Sequence, residues 1–277
     1  MPATDATEHT NTPPASRAIA WVDGRVLPAA DATVPLTDEG FLRGDAVFEA
    51  MLVRGGRTHA AGPHLARLER SARALDLPLP PVRGAIADLL AAWGERDGVL
   101  RLIVTRGGAV RGILGTMTWP PTISLAVVDT PWRTAISGVK TLSYAANQWA
   151  LRQAKSRDAD DALIVDRGLL HELPSGAVVL VTDGRLATPD PAAVPILDSM
   201  TVHALAEIEP VRRETLDVAS LRQADEVFVL SATRPVLPVH AVLLDDEDEV
   251  EYPAPGPVTA RLQQEFANHL LATLDEA

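Results

Sequence analysis

Short runs of apolar residues, broken by tight polar turns, organise the first third of the chain. Ala18-Ile-Ala-Trp-Val22, the pair Asp23-Gly24 and the return Arg25-Val-Leu27 predict a hairpin. Ala46-Val-Phe-Glu-Ala-Met-Leu-Val53 predicts a second one, turning at Gly55-Gly56. The period then changes. Leu65, Leu68, Ala72 and Leu75 recur at helical spacing behind Gly62, with Pro63 at a favoured first helical position, and a further helix is expected over Ala85–Trp93. Strands resume at Val99–Thr105 and Thr122–Val128, and Thr130-Pro131 breaks the pattern. Beyond it, strands over Ala162–Val165, Val178–Thr182 and Glu226–Leu230 mix with helices over Asn147–Arg157, Thr201–Ile208 and Val258–Leu274. No internal repeat is visible. This is an α+β pattern, read as a disordered tail (1–17), an N-terminal α/β domain (18–129) and a C-terminal domain (130–277).

Composition narrows the function. The 277 residues suffice for one large core or two modest ones, and 47% of them are apolar. A net charge of −12 argues against binding nucleic acid, whose phosphates demand a basic face. With no cysteine, disulfides, thiolate metal sites and cysteine nucleophiles are excluded together. No apolar run approaches the roughly 18 residues of a membrane span. Met1–Arg17 is polar and rich in Pro and Thr, without the apolar segment of a signal peptide, so a cytoplasmic address is expected. The acidic run Asp245–Glu249 reads as a solvated loop. Seven scattered histidines offer no helical ligand spacing, and no Gly-x-Ser-x-Gly elbow is present.

The basic residues are more telling. Of 25, only Lys140 and Lys155 are lysines. Arginine stays charged at any useful pH, so amine chemistry must use one of these two. Lys155 lies in a polar helical stretch that should face water. Lys140 lies in the apolar, strand-like run Ala135–Tyr144, where desolvation would lower its pKa. Lys140 is the candidate nucleophile.

Several collinear motifs then carry a resemblance: Asp38-Glu-Gly-Phe-Leu-Arg-Gly-Asp-Ala-Val-Phe-Glu49, His64-x-x-Arg67-Leu68, Lys140-Thr-Leu-Ser-Tyr144, Glu172, Thr201 and Asp225-Glu-Val-Phe228. Over roughly residues 19–270 the chain resembles the class IV aminotransferase family, the fold-type IV enzymes that use pyridoxal 5′-phosphate (PLP). The resemblance implies a smaller N-terminal and a larger C-terminal domain with the cofactor in the cleft between them, and a homodimer. It implies that Lys140 carries PLP as an imine and that Glu172 faces the pyridine nitrogen. Arg67, Thr201, Ala232 and Thr233 would bind the phosphate, and Tyr144 the phenolic oxygen.

Departures bear on the reaction. D-amino-acid enzymes of the family grip the substrate carboxylate through a tyrosine, an arginine and a histidine; here the positions read Phe48, Arg111 and Ile113. The Phe-Glu-Gly-Ile-Arg of branched-chain enzymes is Phe48-Glu-Ala-Met-Leu52. The remaining pattern is most similar to aminodeoxychorismate lyases, which form p-aminobenzoate and pyruvate for folate synthesis. The substrate would be a small carboxylate, held by Phe48 with Arg106 or Arg111. A transaminase acting on branched-chain or D-amino acids is the alternative, and an inactive binding homologue a third.

Overall fold

The alternating segments of the first third pair into one antiparallel sheet. The computed structural model describes residues 13–276. Its first sheet is built from β1 (Ala18–Val22), β2 (Arg25–Pro28), β3 (Ala46–Arg54), β4 (Arg57–Thr58), β5 (Gly98–Thr105) and β6 (Val110–Gly115), in the order β2-β1-β6-β5-β3-β4. Three helices accompany it: α1 (Glu39–Arg43), α2 (Ala61–Ala74) and α3 (Arg83–Trp93). Both expected hairpin turns form. Asp23 and Gly24 (φ 50° and 81°), like Gly55 and Gly56 (φ 53° and 75°), adopt the left-handed backbone that two-residue turns require. Of the tail expected over 1–17, residues 1–12 lie outside the described residues, and Ala15–Arg17 form a 3-10 turn.

Register sorts the side chains of this sheet. Val47, Met51, Leu100, Leu102, Val104 and Leu114 share the face covered by Leu65 and Leu68 of α2 and Leu89 and Trp93 of α3. Glu49 lies on that same face, fully buried. Arg67 of α2 donates to it through Nε (2.7 Å) and Nη2 (2.8 Å), and His64 Nδ1 lies 2.7 Å away. Burial works against the charge on Glu49, but these hydrogen bonds and the Arg67 charge outweigh it and hold its pKa down to about 2.

The second sheet contains nine strands: β7 (Ile123–Asp129), β8 (Asp161–Asp166), β9 (Leu169–Leu170), β10 (Ala177–Thr182), β11 (Arg185–Pro189), β12 (Val211–Glu214), β13 (Glu226–Ser231), β14 (Arg234–Leu243) and β15 (Glu249–Glu251). They run β12-β11-β10-β13-β14-β7-β8-β9, with β15 on β14. The β7–β8, β7–β14 and β11–β12 pairs are parallel. Helices α4 (Ala145–Lys155), α5 (Met200–Ala206), α6 (Val218–Gln223) and α7 (Pro257–Ala272) complete the chain. Because β7 pairs only within this sheet, the chain changes sheets in residues 116–122, before the break expected at Thr130-Pro131. The acidic run is the exposed, solvated connection expected. It turns β14 into β15, with Asp248 bonded to Arg222 and Asp246 2.9 Å from Arg157.

The two sheets share a core. Leu52 and Val99, on the helix-free face of the first sheet, pack with Val179, Phe228 and Leu230 of the second and with Leu262 and Phe266 of α7. Helix α7 is seated by Glu226, which accepts from the backbone N–H groups of Val258 (2.8 Å) and Thr259 (2.7 Å). A carboxylate suits those orphan first-turn donors and the positive helix end. This accounts for one residue of the Asp225–Phe228 motif. Asp225 serves the neighbouring turn by accepting from Asp183 N–H at 2.8 Å.

Two stability predictions result. A Cβ at Gly256 would come within 2.2 Å of the Glu226 carboxyl carbon, so Gly256→Ala should displace this cap. The expected loss is about 1–2 kcal/mol, read as a lower urea midpoint at unchanged slope. Because the folded pKa of Glu49 lies below its ordinary value, its stabilisation is present above pH 4.5 and is lost as pH falls towards 2. That loss should approach about 3 kcal/mol. Glu49→Gln should remove this acid-limb component and, by leaving Arg67 buried without its carboxylate, unfold at lower urea at pH 7.

Candidate active site

Between the two sheets lies a cavity of about 870 Å³. Phe48, Ala50 and Arg101 of the first sheet line one side, and segments 136–144, 171–177, 195–201 and 230–234 supply much of the rest. Lys140, Arg67, Tyr144, Glu172, Thr201, Ala232, Thr233 and Phe48, separate in sequence, all reach this wall.

Lys140 does not sit on a strand, as its apolar surroundings suggested. Residues 135–138 form turns, with Gly138 at φ 81° and the Val139 N–H donating to Ile136 O at 3.1 Å. The segment is then captured by β3. Since β4 has only two residues, the N-terminal half of β3 offers an unpaired edge, and unpaired N–H and C=O groups recruit backbone. Phe48 N–H donates to Lys140 O (3.1 Å), and Leu142 N–H donates to Ala46 O (3.0 Å). Ser71 Oγ of α2 accepts from the Lys140 N–H at 3.2 Å.

The Asp38–Glu49 motif fastens the same segment. Asp38 caps α1 through Phe41 N–H and accepts from Thr105 Oγ1 at 2.9 Å. Gly44 closes α1 with φ 69°, and its carbonyl accepts from the Thr141 and Ser143 hydroxyls, each at 3.3 Å. A side chain at Gly44 would meet Ser143 Oγ at 2.9 Å as well as strain the backbone.

Electrostatics in the cavity are uneven. The Lys140 amine lies 4.4 Å from the Phe48 ring centre, and Tyr144 meets that ring edge-on at 5.3 Å. Burial, then the Arg67 charge, bring the Lys140 pKa down to about 8; Glu49 and Glu172 partly offset this, and Arg101 reinforces it. Glu172 is shifted upward by burial, against hydrogen bonds from the Leu197 N–H (3.1 Å) and the Trp132 indole (3.2 Å) and the nearby Lys140 charge. Burial, with Glu172 nearby, also raises Tyr144, so its phenol keeps its proton.

At the other end, Arg67 reaches the cavity with three N–H groups already in use, two on Glu49 and one on Asp198 O at 3.0 Å. Two of its five remain. The Thr201 N–H lies in the first turn of α5, where no intrahelical acceptor exists. Ala232 and Thr233 form the two-residue turn between β13 and β14, braced by Arg234 N–H on Ser231 Oγ at 3.0 Å. These groups could hold an anion. Among the described residues, no group of three or more His, Asp or Glu side chains is placed to hold a metal ion.

Two expected substrate anchors are elsewhere. Arg106 forks onto Asp45 (2.8 and 3.0 Å) and donates to the Leu75 and Asp76 carbonyls, outside the cavity wall. Arg111 bonds Asp23 at 2.8 Å and is likewise not part of that wall. Arg101, Trp119, Trp132 and Arg234 line the cavity without having been singled out. For Arg101 a signal existed: it is the one charged residue in the apolar run Val99–Val104.

The family model described as "Amino-transferase class IV" matches residues 46–242. A bifunctional aminodeoxychorismate lyase / D-amino acid transaminase of Mycobacterium tuberculosis (strain ATCC 25618 / H37Rv) is 34% identical over 243 residues, covering 75% of this chain and 83% of that protein. A D-alanine aminotransferase of Bacillus licheniformis is 26% identical over 276 residues, 90% of this chain and 96% of the relative. Among solved structures, the PLP-bound form of a hypothetical aminotransferase from Mycobacterium tuberculosis superposes with a TM-score of 0.79 at 28% identity, covering 92% of this chain and 99% of that one. With a buried amine in a cleft between two sheets and a family match over most of its length, the chain belongs to the class IV aminotransferases, fold-type IV enzymes whose cofactor is PLP.

Proposed function

We propose that this protein is a PLP-dependent lyase that converts 4-amino-4-deoxychorismate into 4-aminobenzoate and pyruvate. The observation that carries the reading is one buried amine of lowered pKa sharing a cavity with the buried carboxylate Glu172, in a chain 34% identical to a relative named for that lyase activity. The residues present fit the cofactor. Lys140 is the amine that would hold it, and Glu172 would face its pyridine nitrogen. The two remaining N–H groups of Arg67, the Thr201 hydroxyl and N–H and the Ala232-Thr233 turn would receive its phosphate. Tyr144, kept protonated by its burial, would donate to its phenolic oxygen.

When bound, PLP supplies an aldehyde for the substrate amine and a ring that accepts electron density. Lys140 Nζ, with a large neutral fraction near pH 8, takes the proton from the substrate ring carbon and later delivers one to the departing three-carbon group. Loss of that group as pyruvate leaves an aromatic ring, which makes the step strongly favourable. The cavity walls exclude water and hold the reacting atoms in line. A second reading, transamination of D-amino acids, is favoured by the D-alanine aminotransferase relative and by the second activity in the bifunctional relative's name. It uses the same amine but requires a 2-oxo acid acceptor.

We propose further that the protein works as a homodimer. Val34, Leu36, Phe41 and Leu42 are at least half exposed on and beside α1, an apolar patch that a second copy would cover.

Incubation with aminodeoxychorismate should release pyruvate and 4-aminobenzoate in equal amounts without added 2-oxo acid; amino exchange alone would sink the lyase reading. Lys140→Ala should abolish turnover. Hydride reduction of the PLP-loaded protein should tag the peptide containing Lys140 and not Lys155, and the rate at which the cofactor-free protein takes up added PLP should rise through about pH 8 and not near the ordinary lysine value. Phe41→Asp should shift the sedimentation coefficient from that of a dimer to that of a monomer.

A further inference from the structure

The phosphate end of the cavity is assembled from two layers. Arg67 stands on α2 and is tied to the first sheet through Glu49. Thr201 and the Ala232-Thr233 turn belong to the second, where Val202 and Leu205 of α5 pack with Val179, Val181 and Phe228. A phosphate touching both sets of groups requires a fixed gap between them. A hydrogen bond crosses that gap: Arg67 Nη1 donates to the backbone carbonyl of Asp198 at 3.0 Å.

The carbonyl is held from outside. The Asp198 side chain is not part of the cavity wall. It accepts from Arg213 Nη1 of β12 at 2.9 Å, and His203 Nε2 of α5 lies 2.9 Å from each of its oxygens. Arg213 Nη2 is in turn 3.1 Å from His203 Nε2, so three side chains close on one another. Pairing of β12 with β11 ties Arg213 to the second sheet. One residue earlier, the Leu197 N–H donates to Glu172 at 3.1 Å, so the segment has a separate anchor at its other end. What the Asp198 side chain adds therefore acts on Arg67.

We propose that Asp198 is a positioning residue: its side chain, clamped by Arg213 and His203 outside the cavity, holds its own carbonyl on Arg67 and so fixes the gap across which the cofactor's phosphate is gripped. The inference rests on the phosphate placement given above and is independent of which reaction follows. Arg213 and Asp198 keep 30% and 44% of their side-chain surface accessible, so the expected effect is about fivefold in affinity, near the upper end for such a pair.

The test is calorimetric titration of the cofactor-free, full-length protein with pyridoxine 5′-phosphate and with pyridoxine. The two differ by the phosphate and, having no aldehyde, form no bond to Lys140. The wild-type protein should bind the phosphate ester much more tightly. Asp198→Ala should cut that preference about fivefold by weakening the ester and leaving pyridoxine unchanged. Asp198→Asn, whose amide oxygen still accepts from Arg213, should retain part of it. Arg213→Gln should reproduce the loss, and combining it with Asp198→Ala should cost no more than Asp198→Ala alone, because the pair acts as one unit. A urea midpoint for each variant reports a folded protein. Three results would overturn the proposal: a preference untouched by Asp198→Ala, pyridoxine weakened as much as the ester, or losses at the two positions that add. Arg67→Lys alters the gripping group itself and should cost more than any of these. If it keeps the full preference, the phosphate placement fails and this inference with it; if it loses the preference while Asp198→Ala does not, the inference fails alone. A protein that behaves as expected here but releases no 4-aminobenzoate overturns the lyase reading and leaves this inference standing.

Discussion

The unpaired N-terminal edge of β3 is the constraint on which the site depends. It exists because β4 covers only the last residues of β3, and it is filled by Lys140–Leu142 through two backbone hydrogen bonds. That contact places the lysine carbonyl against Phe48 and its amine over the Phe48 ring. It also joins the layers, because the segment it captures leads directly into α4 and β8 of the second sheet. The glycine at position 44 and the hydroxyls of Thr141 and Ser143 hold the same segment from the α1 side. The nucleophile is thus positioned by backbone at several points, leaving its side chain free of that task.

Two buried carboxylates show how partner chemistry sets charge. Glu49 receives Arg67 and His64 and is held near 2. Glu172 receives an indole and a backbone N–H, and burial pushes it the other way. Neutral donors satisfy an oxygen without neutralising it, so the second carboxylate keeps its appetite for a proton. Asp198 adds a third pattern: its carbonyl accepts from Arg67 while its side chain accepts from Arg213 and faces His203. Burial opposes the Asp198 charge, and these two partners overcome it.

Much of the fold was legible because period and turn chemistry agreed locally. Asp23-Gly24 and Gly55-Gly56 turn as expected, α3 ends at Trp93, and Lys155 is about half exposed near Asp160, at the rim of the cavity. The failures are equally local. Strand β14 carries Pro235 and Pro238, which argue against a central strand; the ladder accommodates irregular register with both β13 and β7. Strand β6 opens beside a glycine-rich loop and carries two further glycines, which hides its alternation. The Lys140 segment reads as a strand because its residues are apolar, but its burial comes from lining a cleft. Arg106 and Arg111 could not be separated from Arg101 without knowing the register that sends each to a different neighbour.

Strand order in the second sheet has a further consequence, for how the molecule is made. The strand that enters this sheet first, β7, lies between β8 and β14, and β14 is separated from it by more than a hundred residues of chain. One edge of that early strand therefore waits through most of synthesis for its permanent neighbour, exposed to whatever else could pair with it. Biogenesis of this protein should depend on what shelters that strand on the ribosome, a demand set by topology and independent of catalysis.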